Sequence, residues 1–234
     1  MNSQVFSRSS VLNNIPIRKL NEILSNIENG SDELSVKALK KTAIARYAES
    51  NIPIEYWFLK MEKDFTGDPR LLEKYKEYTS DMKKSYIQGT SICFAGAHGL
   101  GKTMTATCIL KKAAQQNFSA LYTTLSDVVA AMTQAPNEDK FIAKRELLLV
   151  DFLILDEFDN RFFSNDNAAD LYARTLEGVF RTRSQNKLPT LMCTNSPNVI
   201  EGFNGALKAS IESLMKGYIK IFPVLGDDFR KKNV

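Results

Sequence analysis

The stretch Gly96-Ala97-His98-Gly99-Leu100-Gly101-Lys102-Thr103 decides the reading of this chain. It satisfies G-x-x-x-x-G-K-[ST] in full, and its surroundings suit it. Ser91-Ile92-Cys93-Phe94-Ala95 reads as a short apolar strand leading in, and Thr103 to about Gln116 as a helix leading out. The chemistry behind the pattern is specific. A triphosphate crowds several negative charges together and needs many short donors. Glycines let the backbone curl until consecutive N–H groups point inward, and a helix N-terminus adds the positive end of its dipole. Gly96, Ala97, His98, Gly99, Leu100 and Gly101 are expected to bind through the main chain. Lys102 is placed to contact the β- and γ-phosphates, and the Thr103 hydroxyl to ligate magnesium. A random chain of this length matches the pattern about once in a hundred, so a merely flexible glycine turn is a poor account of it. His98 is the only histidine in the chain. It stands at a variable position of the pattern, where the backbone rather than the side chain binds.

Working outward, Phe152-Leu-Ile-Leu155 ends in Asp156-Glu157, about 55 residues beyond the lysine. With Leu147–Val150 it forms an apolar run interrupted by Asp151, the pattern of a buried parallel strand. Carboxylates at the C-terminal end of such a strand sit beside the phosphate loop, where open α/β sheets bind ligands. Asp156 is expected to hold magnesium, and Glu157 to orient or deprotonate the attacking water. Metal binding and water activation are distinct tasks at adjacent places, which is why two acids are needed. A third strand, Leu191-Met-Cys-Thr194, ends in Asn195-Ser196-Pro197. The Asn195 amide is expected one strand over from Asp156, holding the water or touching the γ-phosphate, although Asn-Ser-Pro is also a common turn. The expected ligands are thus ATP and Mg2+.

Beyond the motifs, the chain alternates strands and helices, which predicts a parallel α/β sheet. Strands are expected at Thr90–Ala95, Ala120–Thr124, Phe152–Leu155, Thr190–Thr194 and Tyr218–Phe222, with helices starting near Gly101, Ser126, Asn167 and Gly205. Before the sheet, Leu71, Tyr75, Tyr78 and Met82 mark one face of a helix from Arg70 to about Tyr86. Trp57, Phe58 and Met61 are expected to pack on the core. Residues 1–50 read as a helical extension. Ile17, Leu20, Ile23, Leu24 and Ile27 recur at helical spacing behind Pro16, Asn29-Gly30 breaks the pattern, and Leu34, Leu39, Ala43 and Tyr47 lie on a second helix. Such a hairpin either packs on the core or docks a protein partner; the spacing alone fits both. Residues 51–234 then form the nucleotide-binding domain.

The bulk numbers bound the rest. The 234 residues suffice for one sizeable core plus a small extension, and 44% hydrophobic with 25% charged residues is ordinary for a water-soluble chain. No apolar run approaches the roughly 20 residues of a membrane helix, and the first residues do not read as a secretory signal. The three cysteines, Cys93, Cys108 and Cys193, form no CxxC pair. That argues against a disulfide framework or zinc site and for a reducing, cytoplasmic compartment. A net charge of +4 permits a nucleic-acid partner without demanding one. Arg161, Arg174, Arg181 and Arg183 surround one helix and are candidates for a DNA phosphate or a neighbour's nucleotide, against the plain reading of a solvated helix face.

Together, Gly96–Thr103, Leu153-Ile-Leu-Asp156-Glu157 and Thr194-Asn195 resemble the AAA+ ATPase pattern. Leu188-Pro-Thr-Leu-Met-Cys-Thr-Asn-Ser196 and Ile221-Phe-Pro-Val-Leu-Gly-Asp-Asp-Phe-Arg230 are similar to the DnaC/DnaI/IstB group, whose core ends without a C-terminal lid domain. The resemblance covers roughly residues 50–230. It implies an ATPase that loads a replicative hexameric DNA helicase, held by residues 1–50, onto single-stranded DNA, with self-association on the helicase or DNA. The alternative is an IstB-like transposition helper that coats duplex DNA. One departure stands out. That group carries arginines in the helix after the sensor strand, acting on a neighbouring subunit's ATP. Here Ala206–Met215 has Lys208 as its single basic residue. Because an arginine finger supplies about 10³–10⁵ in rate, the departure opens a third reading, a nucleotide-gated adaptor with little hydrolysis.

Overall fold

The computed structural model describes residues 12–158, 166–196, 205–226 and 228. Five short apolar segments become the strands β1 (Ser91–Ala95), β2 (Ala120–Thr124), β3 (Phe152–Asp156), β4 (Thr190–Thr194) and β5 (Ile219–Pro223). All pair in parallel, in the order β2-β3-β4-β1-β5. The helices are α1 (Ile17–Asn29), α2 (Leu34–Glu49), α3 (Met61–Asp64), α4 (Pro69–Thr79), α5 (Met82–Gln88), α6 (Lys102–Gln115), α7 (Leu125–Thr133), α8 (Asn137–Leu149), α9 (Asp166–Gln185) and α10 (Gly205–Tyr218). The expected parallel α/β architecture of a P-loop AAA+ domain, preceded by a short helical region, is what the chain forms.

Side chains alternate across a strand, so each central strand feeds two cores. Ile92, Phe94, Tyr122, Ile154 and Cys193 face the layer of α2, α4 and α6. Their neighbours Cys93, Ala95, Leu121, Leu155 and Met192 face the layer of α7, α8, α9 and α10. β1, β3 and β4 are buried along their whole length, which is why they read as continuous apolar runs. Burial also pushes the Cys93 thiol up to about 12 and raises Cys108 and Cys193, so these cysteines serve as packing groups rather than nucleophiles.

Four expectations are corrected. The helix read from Arg70 to Tyr86 is two, α4 and α5, because the Asp81 carboxylate accepts the Lys84 N–H and starts a new helix. Leu147–Leu149 are not part of a strand run but the last turn of α8, a helix whose weak apolar periodicity concealed it. Of the residues expected in the core, Phe58 is 63% exposed while Trp57 and Met61 are buried. On α2, Leu34 and Leu39 face solvent at 81% and 72% exposed, and Ile44 and Tyr47 do the packing.

Arg183 adds a fifth. Expected on a solvated face or reaching for phosphate, it is fully buried on α9. Its guanidinium donates to the carbonyls of Leu147 (3.1 Å), Val150 (2.9 Å) and Pro189 (2.7 Å) and to Thr190 Oγ1 (2.8 Å). The cation thus closes the C-terminal end of α8, whose last carbonyls lack helical partners, and ties it to the start of β4. Burial pulls its pKa down to about 10. Arg181, two residues earlier, is exposed and paired with Glu177 at 2.6 Å, and Arg174 is exposed. Arg161 and the closing Phe229-Arg230 lie outside the described residues. No helix among the described residues is long and apolar enough to cross a membrane.

Candidate functional site

The loop between β1 and α6 leaves the sheet at its C-terminal edge, where Gly96 N–H still bonds Thr194 O of β4 at 3.2 Å. Two positions require glycine. Gly99 has φ +74 and Gly101 φ +82, the left-handed region that side chains resist. Neither has room either: a Cβ at Gly101 would stand 2.4 Å from the Phe65 ring, and one at Gly99 would stand 1.8 Å from Asp228 Oδ1. Gly101 thereby ends as the N-cap of α6, whose first N–H groups open toward the loop.

Lys102 is buried, and its ammonium donates to Gly96 O (2.8 Å), Ala97 O (2.5 Å) and Asn195 Oδ1 (3.0 Å). Asn195, directly after β4 and one strand over from Asp156, is therefore brought onto the loop lysine. Beside it, Thr103 Oγ1 faces Asp156 Oδ1 at 3.4 Å. A hydroxyl and a carboxylate oxygen side by side are the hard donors Mg2+ takes, the remaining positions going to water and phosphate; the residues present fit that ion. Asp156 also accepts the Glu157 N–H at 2.8 Å. Here the chain turns abruptly. Glu157 has φ +51, an uncommon conformation for a side-chain-bearing residue, and Phe158 N–H bonds Cys193 O at 3.0 Å. The turn buries Phe158 and leaves Glu157 exposed at the cavity wall. Strain of this kind concentrates at functional sites.

These groups line one side of a cavity of about 460 Å³. His98 lies on its rim, on the same loop. The cavity is also lined by residues that the motifs did not predict: Glu55, Tyr56, Asp64, Phe65 and Thr66, from the segment between α2 and α4. Tyr122 is a further one. Its hydroxyl donates to Asp156 Oδ2 at 2.8 Å, and burial together with the Asp156 charge holds its pKa well above the ordinary tyrosine value. Its sequence signal was no more than a polar-tipped aromatic in the middle of β2.

The sequence model of the family described as IstB-like ATP binding protein matches residues 68–186, just over half of the chain. No curated protein matches in sequence. Among solved structures, DnaI superposes with a TM-score of 0.58 at 16% identity, over 76% of this chain and 93% of that one. The DnaC helicase loader gives 0.58 at 16% identity, over 74% and 100%. DnaA bound to AMPPCP and single-stranded DNA gives 0.56 at 18%, over 75% of this chain and 51% of its own. At such identities the likeness speaks for a shared fold, while the family match covers the α4–α9 stretch that carries the phosphate loop and the acidic strand end. The chain belongs to the IstB-like ATP-binding protein family.

Proposed function

We propose that this chain is a magnesium-dependent ATPase of the cytoplasm that loads a replicative hexameric DNA helicase onto single-stranded DNA. The nucleotide half of the reading rests on one observation, the Lys102 ammonium bound at once to two loop carbonyls and to Asn195, beside the Thr103–Asp156 oxygen pair. In this reading the main chain of Gly96–Thr103 and the Lys102 charge hold the β- and γ-phosphates. Thr103 and Asp156 would hold Mg2+, which when bound neutralises charge developing on the phosphoryl oxygens. Glu157 takes the proton of the attacking water, and Asn195 orients that water or the γ-phosphate.

The loader half is supported by the DnaC helicase loader among the fold's neighbours and by the N-terminal hairpin. Ile17, Leu34 and Leu39 there are 73%, 81% and 72% exposed, an apolar display suited to a protein partner. Residues 1–50 are accordingly the helicase-docking region and 51–234 the ATPase domain, with self-association on helicase or DNA. The family match favours a second reading, a transposition helper of the IstB kind on duplex DNA.

Two measurements test this. A fluorescent ATP analogue should bind the chain with Mg2+, and Lys102→Ala should weaken it about 10- to 100-fold, the loss of a charge-assisted contact of about 1.5–3 kcal/mol. Glu157→Gln should keep binding and lose about 10²-fold or more in turnover; wild type no faster than this variant, with DNA and partner present, ends the ATPase reading. For the loader reading, the full chain should capture a hexameric replicative helicase. No capture in any nucleotide state, with filaments forming on duplex DNA instead, selects the helper.

A further inference from the structure

The Asp156 carboxylate is held from two sides. Oδ1 accepts the Glu157 N–H at 2.8 Å and faces Thr103 Oγ1 at 3.4 Å. Oδ2 accepts the Tyr122 hydroxyl at 2.8 Å, with both residues buried. Strand register makes this possible. Thr124 of β2 stands opposite Asp156 of β3, so Tyr122, two residues earlier, shares the Asp156 face and lies on its diagonal. The tyrosine is itself fixed. β2 is an edge strand, and its outer side is met by the end of the N-terminal hairpin: Tyr122 N–H donates to Ser50 O at 2.8 Å, and the Asn51 side-chain amide donates to Tyr122 O at 3.0 Å. Asn51 is in turn met by Asn14 N–H at 2.8 Å.

We propose that Tyr122 is a positioning residue for the magnesium site: by occupying Asp156 Oδ2 from β2, it turns Oδ1 toward Thr103 and presents a single carboxylate oxygen to the cation. This rests on reading the cavity as a magnesium–nucleotide site. A carboxylate free to rotate can offer two oxygens, one, or none; one pinned by a phenol on its inner oxygen offers the same atom each time. A phenylalanine here would fill the same space and leave that choice open. Partners that orient a ligand in this way change metal affinity by about 10- to 100-fold when removed.

The test is magnesium dependence rather than turnover. A fluorescent ATP analogue is titrated onto the full chain in EDTA and again across a magnesium series, for wild type, Tyr122→Phe, Asp156→Asn and the double variant. In Tyr122→Phe the magnesium needed for half-maximal enhancement should rise about 10-fold, while uptake in EDTA follows wild type and reports an intact loop. In the Asp156→Asn background the same change should shift nothing further, because the carboxylate it orients is gone. An unchanged magnesium midpoint in Tyr122→Phe overturns the proposal, as does an equal shift in both backgrounds, which assigns the tyrosine to general packing. A wild-type chain without magnesium-dependent uptake overturns the site reading itself, and is told apart because the wild type alone reveals it.

Discussion

At the C-terminal ends of β1, β3 and β4, polar side chains are bound to one another: Lys102 to Asn195, Thr103 and Tyr122 to Asp156. On α1 and α2 the situation is reversed. There the side chains that stand out are large, apolar and in solvent, with Ile17, Leu34 and Leu39 more than two-thirds exposed. The first region is closed on itself; the second presents surface that nothing among the described residues covers. α2 contains both behaviours within ten residues, since Leu39 faces out while Ile44 and Tyr47 join the same core as the strands. The lesson is that burial and commitment of polar groups, not hydrophobicity, separate the scaffold of this protein from its display.

The contrast can be broken or sharpened by substitution. The largest effect is expected away from the site, at the most deeply committed polar group. Arg183→Ala strands the carbonyls of Leu147, Val150 and Pro189 in the interior. A loss of about 3–5 kcal/mol follows, read as a melting temperature lower by about 10 °C. Arg181→Ala, on the same helix but exposed, should stay within about 0.5 kcal/mol of wild type. Equal losses for the two would erase the distinction. On α2, Ile44→Ala should cost about 3 kcal/mol in chemical denaturation.

A smaller effect is expected at Asp68, which caps α4 by accepting the Arg70 N–H and pairs with the Arg70 guanidinium. The arginine holds its carboxyl below the usual carboxylate range. The sign follows from that depression: its stabilisation is complete above the ordinary value of about 3.9 and fades as pH falls through the lower, folded value. Asp68→Ala should lower stability by about 1 kcal/mol at neutral pH, and its acid melting curve should converge on the wild-type curve. A gap that persists into strong acid would assign the loss to packing. The smallest expected change is in Leu34→Ser. Stability should move by less than about 0.5 kcal/mol and nucleotide affinity should be unaltered, while capture of the helicase falls. A destabilised Leu34→Ser would mean that the hairpin face is part of the core after all.

How much of this was legible beforehand varies by residue. β2 and β4 fall on their expected bounds, and the other three strands within one residue; β1, β3 and β4 were legible because strands buried on both faces must be apolar throughout. α8 escaped because its sequence, Asn137–Leu149, is amphipathic only weakly, and its closing leucines adjoin β3. Lys102, Thr103, Asp156 and Asn195 were placed in one neighbourhood from three strand ends alone, and they lie there. Arg183 was misread because a charged residue on a helix gives no sign that carbonyls from two separate segments, the end of α8 and the start of β4, await it. Tyr122 was passed over for a related reason: a phenol in a strand reads as core, and its bond to Asp156 depends on the pairing of β2 with β3.

By itself, the sequence determined the groups whose work is done by neighbours along the chain. The loop glycines with positive φ, the lysine and threonine at the head of α6 and the acids closing β3 follow from local geometry, which a short motif encodes completely. Only the tertiary structure decided which side chains from distant segments complete them. The Tyr122 hydroxyl on Asp156, the wall from Glu55 to Thr66, the burial of Arg183 and the exposure of Leu34 and Leu39 all depend on strand register and helix docking. These are set by the summed packing of the whole chain, to which any single residue contributes too little to be read alone.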